Sequence, residues 1–328
     1  YALYGQITDQ FTNQFSGTLG ARLTSDHVGV IDGSAAEGVP YTSLSHTWSD
    51  FSPKLTLNYE FEPKTMGYLT VSKGFKGGAY NSGAFQSAPI DPETLWDYEL
   101  GVKADVTNHF RVDVSAFWYD YTNIQVQAFG ASAVVAEDNN AAKARMIGAD
   151  GDLTWTYGGV FATQDSLNVT AGFAALHSDY GEYRGASLAT EQFVGCPNAC
   201  TKIPAGDVIT SVDASGNTLV DAPNFTLNLS VNYAWQTAIG RFGLTPAAYY
   251  NSGYFLDAAN SARFKQGAFT KLNATANWES TDKHYTLQLW GKNLTGAKQL
   301  GGVLVSALGP AANGYAPATY GIRGAYHW

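Results

Sequence analysis

The chain has 328 residues, 28 of them acidic and 19 basic, for a net charge of −9. Only 14% of residues are charged, against about 25% in an ordinary globular protein, and an acidic chain without a basic stripe is not a nucleic-acid binder. An aromatic share of 14% excludes disorder, and no run of about 18 uncharged apolar residues offers a membrane helix.

In chain order, the sequence repeats one pattern: apolar and polar residues alternate with period two, the signature of a strand with two different faces. The chain opens at Tyr1 already inside such a pattern and shows no signal peptide, so it is expected to begin partway through a longer protein. Leu55, Leu57, Tyr59 and Phe61 alternate with Lys54, Thr56, Asn58 and Glu60. Tyr98, Leu100, Val102, Ala104 and Val106 oppose Asp97, Glu99, Lys103 and Asp105. Further on, Ile147, Ala149, Leu153, Trp155 and Tyr157 oppose Asp150, Asp152, Thr154 and Thr156.

The clearest case is Phe225, Leu227, Leu229, Val231, Tyr233 and Trp235, interleaved with Thr226, Asn228, Ser230, Asn232 and Ala234. Its length is as informative as its alternation. Strands of soluble sandwiches are typically about five or six residues long. Ten steps tilted about 40° rise about 25 Å, the height of the apolar band of an outer-membrane barrel. Where charges occur in these segments, they fall on the polar face. An Arg or Lys on the lipid face at mid-bilayer would cost about 2–4 kcal/mol.

Thirteen strands are predicted, over 1–11, 14–26, 48–61, 66–75, 94–107, 110–126, 143–157, 165–179, 223–236, 240–256, 266–279, 284–294 and 318–328. Their connections alternate in length. Short turns fall at 12–13, 62–64, 108–109, 158–164, 237–240 and 280–283. Long segments fall at 26–47, 76–93, 127–142, 180–222, 257–265 and 295–317. Outer-membrane barrels have this asymmetry, with short turns inside and long loops outside. The long segments hold few aliphatic residues that could build a second core. The fold class expected is an all-β, antiparallel, up-and-down transmembrane β-barrel.

Few residues point to chemistry. The six histidines are scattered, without HExxH spacing, and no GxSxG elbow is present. Cys196 and Cys200, in the run CPNAC, predict a small disulfide loop formed in an oxidising compartment. Half of a metal site and a pair of free thiols are the alternatives. The chain ends TYGIRGAYHW, with Tyr320, Ile322, Tyr326 and Trp328 on one face. This end resembles the signal by which the outer-membrane assembly machinery recognises barrels, with Trp where Phe is usual.

Six stretches carry a family resemblance, in order and at matching spacing: VSKGFKGGAYN at 71–81, PETLWDYELGVKADV at 92–106, FRVDVSAFWYDYTNIQVQ at 110–127, APNFTLNLSVNY at 222–233, LWGKNLTG at 289–296 and ATYGIRGAYHW at 318–328. With these, the chain resembles the TonB-dependent outer-membrane receptors. The resemblance implies a barrel of about 22 strands around an N-terminal plug, with residues 1–328 as its C-terminal portion and Tyr1 near the tenth strand. Plug, TonB box and early strands would then lie outside this sequence.

The function so implied is active import of a scarce nutrient complex. A ferric siderophore is the default, with cobalamin, haem and oligosaccharides open. Energy would come from the TonB–ExbB–ExbD complex acting on the plug. Other partners expected are outer-membrane lipid and lipopolysaccharide, the barrel assembly machinery and a small-molecule ligand. No cofactor and no catalytic residue is expected. A passive porin or structural barrel is the alternative, and an outer-membrane hydrolase the third reading. Ligand contacts are expected from aromatic and cationic residues at strand tops: Trp48, Phe75, Lys76, Tyr80, Tyr180, Tyr183, Arg184, Tyr254, Phe255, Arg263 and Phe264. Aromatics give stacking area, and cations pair with carboxylates or catecholates. For each of them the bland reading is the stronger, since Tyr and Trp at strand ends are usually interface anchors.

Overall fold

The computed structural model describes residues 1–34, 38–81, 88–129, 136–194, 203–304 and 311–328. Cys196 and Cys200, and with them the expected disulfide, lie outside the described residues. In chain order the strands are β1 (Ala2–Gln10), β2 (Phe15–Ser34), β3 (Val39–Glu62), β4 (Thr65–Lys76), β5 (Glu93–Thr107), β6 (Phe110–Phe129), β7 (Ala136–Gly158), β8 (Ser166–Glu182), β9 (Arg184–Val194) and β10 (Ile203–Asp213). They continue as β11 (Phe225–Thr237), β12 (Gly240–Asn251), β13 (Tyr254–Phe255), β14 (Lys265–Gln266), β15 (Phe269–Glu279), β16 (Tyr285–Lys292), β17 (Leu300–Leu304), β18 (Ala311–Gly314) and β19 (Thr319–Tyr326).

Thirteen of these form one antiparallel sheet in the order β1-β2-β3-β4-β5-β6-β7-β8-β11-β12-β15-β16-β19, and each corresponds to a predicted strand. The register keeps the alternation in phase from strand to strand. Leu57 pairs with Leu69, and Leu69 with Leu100. Leu227 sits between Phe173 and Tyr250, and Leu289 between Ala276 and Ile322. The apolar face is therefore continuous, and it stands uncovered: Leu100 is 62% exposed, Leu229 40% and Leu289 51%. A soluble protein would bury such a face. Here it belongs in the hydrocarbon of the outer membrane.

Aromatic side chains close this face at both ends, where amphipathic rings suit the interface. Trp96, Tyr98 and Trp118 mark the outer end on β5 and β6, all substantially exposed. One row out from Tyr98 and Trp118, level with Trp96, Asp120 pairs in register with Arg145, and Arg145 with Asp179, to which it forms a 3.2 Å ion pair. Charge thus begins in the outermost row of the girdle. At the inner end Tyr233, Trp235 and Phe242 stack in sequence at 5.3 and 5.6 Å. Tyr320, Ile322 and Tyr326 lie at even positions along β19, all strongly exposed. Trp328 follows the end of that strand.

Several expectations need correction. Residues 26–47 do not form a long loop: β2 and β3 stay paired from Asp26–Trp48 up to Ser34–Val39. Their Thr-, Ser- and Val-rich alternation continues past the bilayer, and backbone pairing, although worth less in water than in lipid, still favours the extended hairpin there. Strands β6 and β7 likewise pair out to Phe129–Ala136, inside the segment 127–142 expected as loop. The segment 180–222 contains the hairpin β9–β10. The stretch 240–256 is not one strand. It breaks at Gly253, whose φ is +93° and where a Cβ would lie 2.4 Å from the Gln266 carbonyl oxygen. Tyr254 and Phe255 then pair with Lys265 and Gln266 instead.

The short turns are tied by side chains. In the turn before β8, the Asp165 carboxylate accepts hydrogen bonds from the backbone N–H groups of Val160, Phe161 and Ala162 at 2.7–2.9 Å and from the Tyr233 hydroxyl at 2.8 Å. Desolvation opposes its charge, but the Phe161 N–H, the Tyr233 hydroxyl and the other two amides outweigh it and hold the pKa at about 2. A depressed carboxylate contributes stability above its unfolded pKa of about 4 and loses it as pH falls through the folded value. Hydrogen exchange at the Val160, Phe161 and Ala162 amides, corrected for intrinsic rates, should therefore keep constant protection from pH 7 to about 4 and lose it towards pH 2. Protection that persists at pH 2, or that is already absent at pH 6, would contradict this role.

Candidate ligand vestibule

The second face of the sheet is polar and is satisfied sideways, strand to strand. Thr8 and Thr18 share a 2.8 Å hydrogen bond, and Thr56 and Thr70 one of 3.0 Å. Ser115 donates to Asp150 at 2.6 Å, Asn168 to Thr156 at 2.8 Å, Asn232 to Thr245 at 2.7 Å and Gln288 to Asn277 at 2.9 Å. Lys103 pairs with Asp113 at 2.9 Å. These side chains join neighbours along the wall. That wall can line a wet lumen.

At the outer end of this wall the connections fold into two knots. The first joins β3 to β7. Trp48 is buried, with its ring beside His46 at 4.7 Å. A Cβ on Gly78 would meet the Trp48 ring at 2.4 Å, so only glycine lets the chain cross there. Beyond it Ala79 and Ile90 form a two-way bridge. Gln125 donates to the carbonyls of Gly77 and Asp91, and its own N–H reaches the Glu93 carboxylate at 2.9 Å. Asn140 both donates to Asp91 and accepts from it. Phe75, paired in register with Thr94, is half-buried. Exposed Lys76 lies 3.8 Å from Glu93. Tyr80 is half-buried just past the bridge residue Ala79.

The second knot spans β7 to β19. The long segments were expected to lack a core of their own, yet one exists. Ala141, Ala144, Tyr180, Tyr183, Ala186, Ala214, Leu219, Ala222 and Ala258 pack together, all at 7% exposure or less. Alanines suffice because two tyrosine rings, 5.2 Å apart, fill the volume. Burial pushes the Tyr180 hydroxyl up to about 12. Tyr180 and Tyr183 thus sit beneath the 214–222 segment, to which their backbones bond. Arg184 is exposed and paired in register with Asp213 at the base of the β9–β10 hairpin.

The 251–269 connection docks on that segment through asparagines. Asn217 donates to the Ala258 carbonyl at 2.9 Å. The Asn260 amide accepts from the Thr218 N–H at 2.8 Å and donates to the Thr218 carbonyl at 2.9 Å, from a backbone at φ +54°. Desolvation raises the pKa of the Asp257 carboxyl in this loop. Phe264, in the short 3₁₀ turn Ala262–Phe264, is buried, and the Arg263 guanidinium lies 5.4 Å from its ring. Phe255 carries Lys265 at 5.1 Å over its ring.

Tyr254 is buried and links this connection to the next. Its hydroxyl donates to the Leu300 carbonyl at 2.8 Å and accepts from Gln299 at 3.0 Å. Of the residues expected at strand tops, Tyr254, Phe255, Arg263 and Phe264 all lie in this connection, and sequence reasoning missed the residues that bind it to its neighbours: Asn217, Asn260, Gln266 and Gln299. Asn260, between two alanine-rich stretches, gave only the weak signal of a residue tolerant of positive φ.

Comparison with known proteins agrees with this architecture. The family model described as "TonB dependent receptor-like, beta-barrel" matches residues 1–294. The ferric yersiniabactin uptake receptor FyuA of Yersinia pestis is 18% identical, with a TM-score of 0.74 over 99% of this chain and 45% of its own. The siderophore receptor PiuA of Acinetobacter baumannii is 16% identical, with a TM-score of 0.72 over 98% of this chain and 42% of its own. The copper transporter OprC is 12% identical, with a TM-score of 0.66 over 100% of this chain and 47% of its own. The chain spans less than half the length of these proteins.

Replacing Asn260 with Ala removes both bonds to Thr218 and leaves a left-handed backbone without its favoured residue. The two connections should undock by about 1–3 kcal/mol. Hydrogen exchange at the Thr218 amide should rise roughly 10- to 100-fold, with β8 and β12 unchanged. An unchanged Thr218 amide would show that the loops are not held by this pair.

Proposed function

We propose that this chain, which belongs to the TonB-dependent receptor-like β-barrel family, is the C-terminal part of the barrel of a receptor that imports a scarce nutrient complex across the Gram-negative outer membrane. The observation that carries the proposal is the two-sided sheet: one face dry and girdled for lipid, the other hydrogen-bonded across its strands and topped by knotted outer connections.

The sheet also supports the idea of a larger barrel. Among the described residues β1 pairs only with β2, and β19 only with β16. An open edge in hydrocarbon leaves backbone groups unsatisfied at several kcal/mol each. Further strands of the same protein, to about 22 in all around a plug, would satisfy both edges. Energy would then reach the plug from TonB–ExbB–ExbD. Lipid and lipopolysaccharide would surround the wall. Tyr320, Ile322, Tyr326 and Trp328 would serve the assembly machinery.

The substrate proposed is a metal complex, with a ferric siderophore as default. Of the three similar solved proteins described, one is named for ferric yersiniabactin, one for a siderophore and one for copper. The test is uptake of labelled ferric complexes by iron-limited cells with and without the gene, and with and without TonB. Gene-dependent uptake that stops when TonB is removed is expected. Gene-dependent uptake that persists without TonB would make the barrel a passive pore.

A further inference from the structure

Charge is distributed unevenly around the wall. From Glu93 to Glu182, spanning β5 to β8, the chain carries thirteen acidic and four basic residues. From Phe225 to Trp328 it carries three acidic and eight basic. One side of the wall therefore repels anions and the other attracts them, and a low-dielectric cleft lengthens the reach of such a field.

The basic side is organised around Lys271, near the outer end of β15. Its ammonium group lies 4.9 Å from the Tyr315 ring centre and 5.5 Å from that of Phe269, and it donates to the Gln299 side-chain oxygen. Gln299 is itself fixed, by its bond to Tyr254 and by the Tyr315 N–H donating to its carbonyl at 3.0 Å. Gln266 brings two further lysines to the same corner. It follows Lys265 directly, donates to the Lys298 carbonyl at 3.4 Å and accepts from the Leu300 N–H at 2.8 Å. Lys265 and Lys298 are both exposed.

Aromatic rings and a neutral amide hold a cation in place without cancelling its charge. Among the described residues none of these three lysines forms an ion pair, whereas Lys73, Lys103 and Arg145 on the other side of the wall all do. The nearby carboxylates, Asp221 and Asp257, belong to the loops already docked below Tyr254 and pair with none of the three.

We infer that this corner, with Lys271 at its centre and Lys265 and Lys298 beside it, seats the anionic face of the ligand. The ligand class is a small complex presenting carboxylate, phenolate or phosphate oxygens, with planar groups that stack on Tyr315 and Phe269. The inference rests on the receptor reading and assigns that receptor its charge preference.

The test is equilibrium binding to the whole receptor in outer-membrane vesicles. The labelled probes are a trianionic ferric tris-catecholate, anionic ferric citrate and a neutral ferric tris-hydroxamate. At least one anionic probe should bind about 10-fold or more tighter than the neutral one, and raising the salt should weaken it. Lys271→Gln and Lys298→Gln should each weaken the anionic probe about 5- to 10-fold at equal surface level and leave the neutral one nearly unchanged. Lys271→Arg should retain most of the affinity. Lys298 is exposed, so its variant assembles even if that of Lys271 does not.

Equal binding of neutral and anionic probes overturns the inference, as do lysine variants that bind like the parent. If the neutral probe alone is bound and taken up in a TonB-dependent way, the receptor reading stands and the charge assignment falls. If no probe is bound and uptake is independent of the gene, both fall.

Discussion

Hydrocarbon neither donates nor accepts hydrogen bonds, and this constraint organises the rest of the protein. Every backbone N–H and C=O at membrane depth needs a partner from the chain itself. An antiparallel sheet provides those partners between strands and leaves side chains to alternate between two surroundings. Long strands, short turns on one side and a continuous apolar face all follow from it. So does the position of charge. The row Trp96–Asp120–Arg145–Asp179 lies just outside Tyr98 and Trp118, where water returns.

The wet face obeys a different requirement. It must be polar without attracting a counter-wall that would fill it. Thr, Ser, Asn and Gln meet this by bonding to the next strand, as Thr56 does to Thr70 and Asn232 to Thr245. Where basic groups stand on the β5–β8 side of the wall, neighbouring carboxylates pair with them, as Asp113 does with Lys103 and Asp179 with Arg145. The vestibule above is built more like a soluble protein. Its small core of alanines and tyrosines, and its asparagine clasps between connections, hold the outer segments in fixed positions on a rigid wall.

The wall was legible in the sequence because lipid imposes a simple rule on each strand. All thirteen sheet strands were readable from alternation, and the stretch from Phe225 to Trp235 alone gave the face and the height. The vestibule was less legible because water imposes no such rule. The alternation of residues 28–34 and 41–47 continues beyond the bilayer, and nothing local marks where the membrane ends. Tyr180 and Tyr183 read as surface aromatics because their burial depends on a segment some 35 residues away that folds back over them. Gly253 offered a local sign, yet its neighbours alternate well enough to hide the break. The charge difference between the two halves of the wall was present in the sequence but acquires meaning only once the strand order sets the halves side by side.

The central claim is that alternate side chains of one strand face lipid and water. Single spin labels placed in turn from Thr226 to Tyr233 along β11, in the receptor reconstituted in bilayers, test it directly. Collision with oxygen dissolved in the lipid should peak at Leu227, Leu229 and Val231, and collision with a water-soluble nickel chelate should be highest at Asn228, Ser230 and Asn232. A flat profile along the strand, or one with the two sets exchanged, would contradict the account.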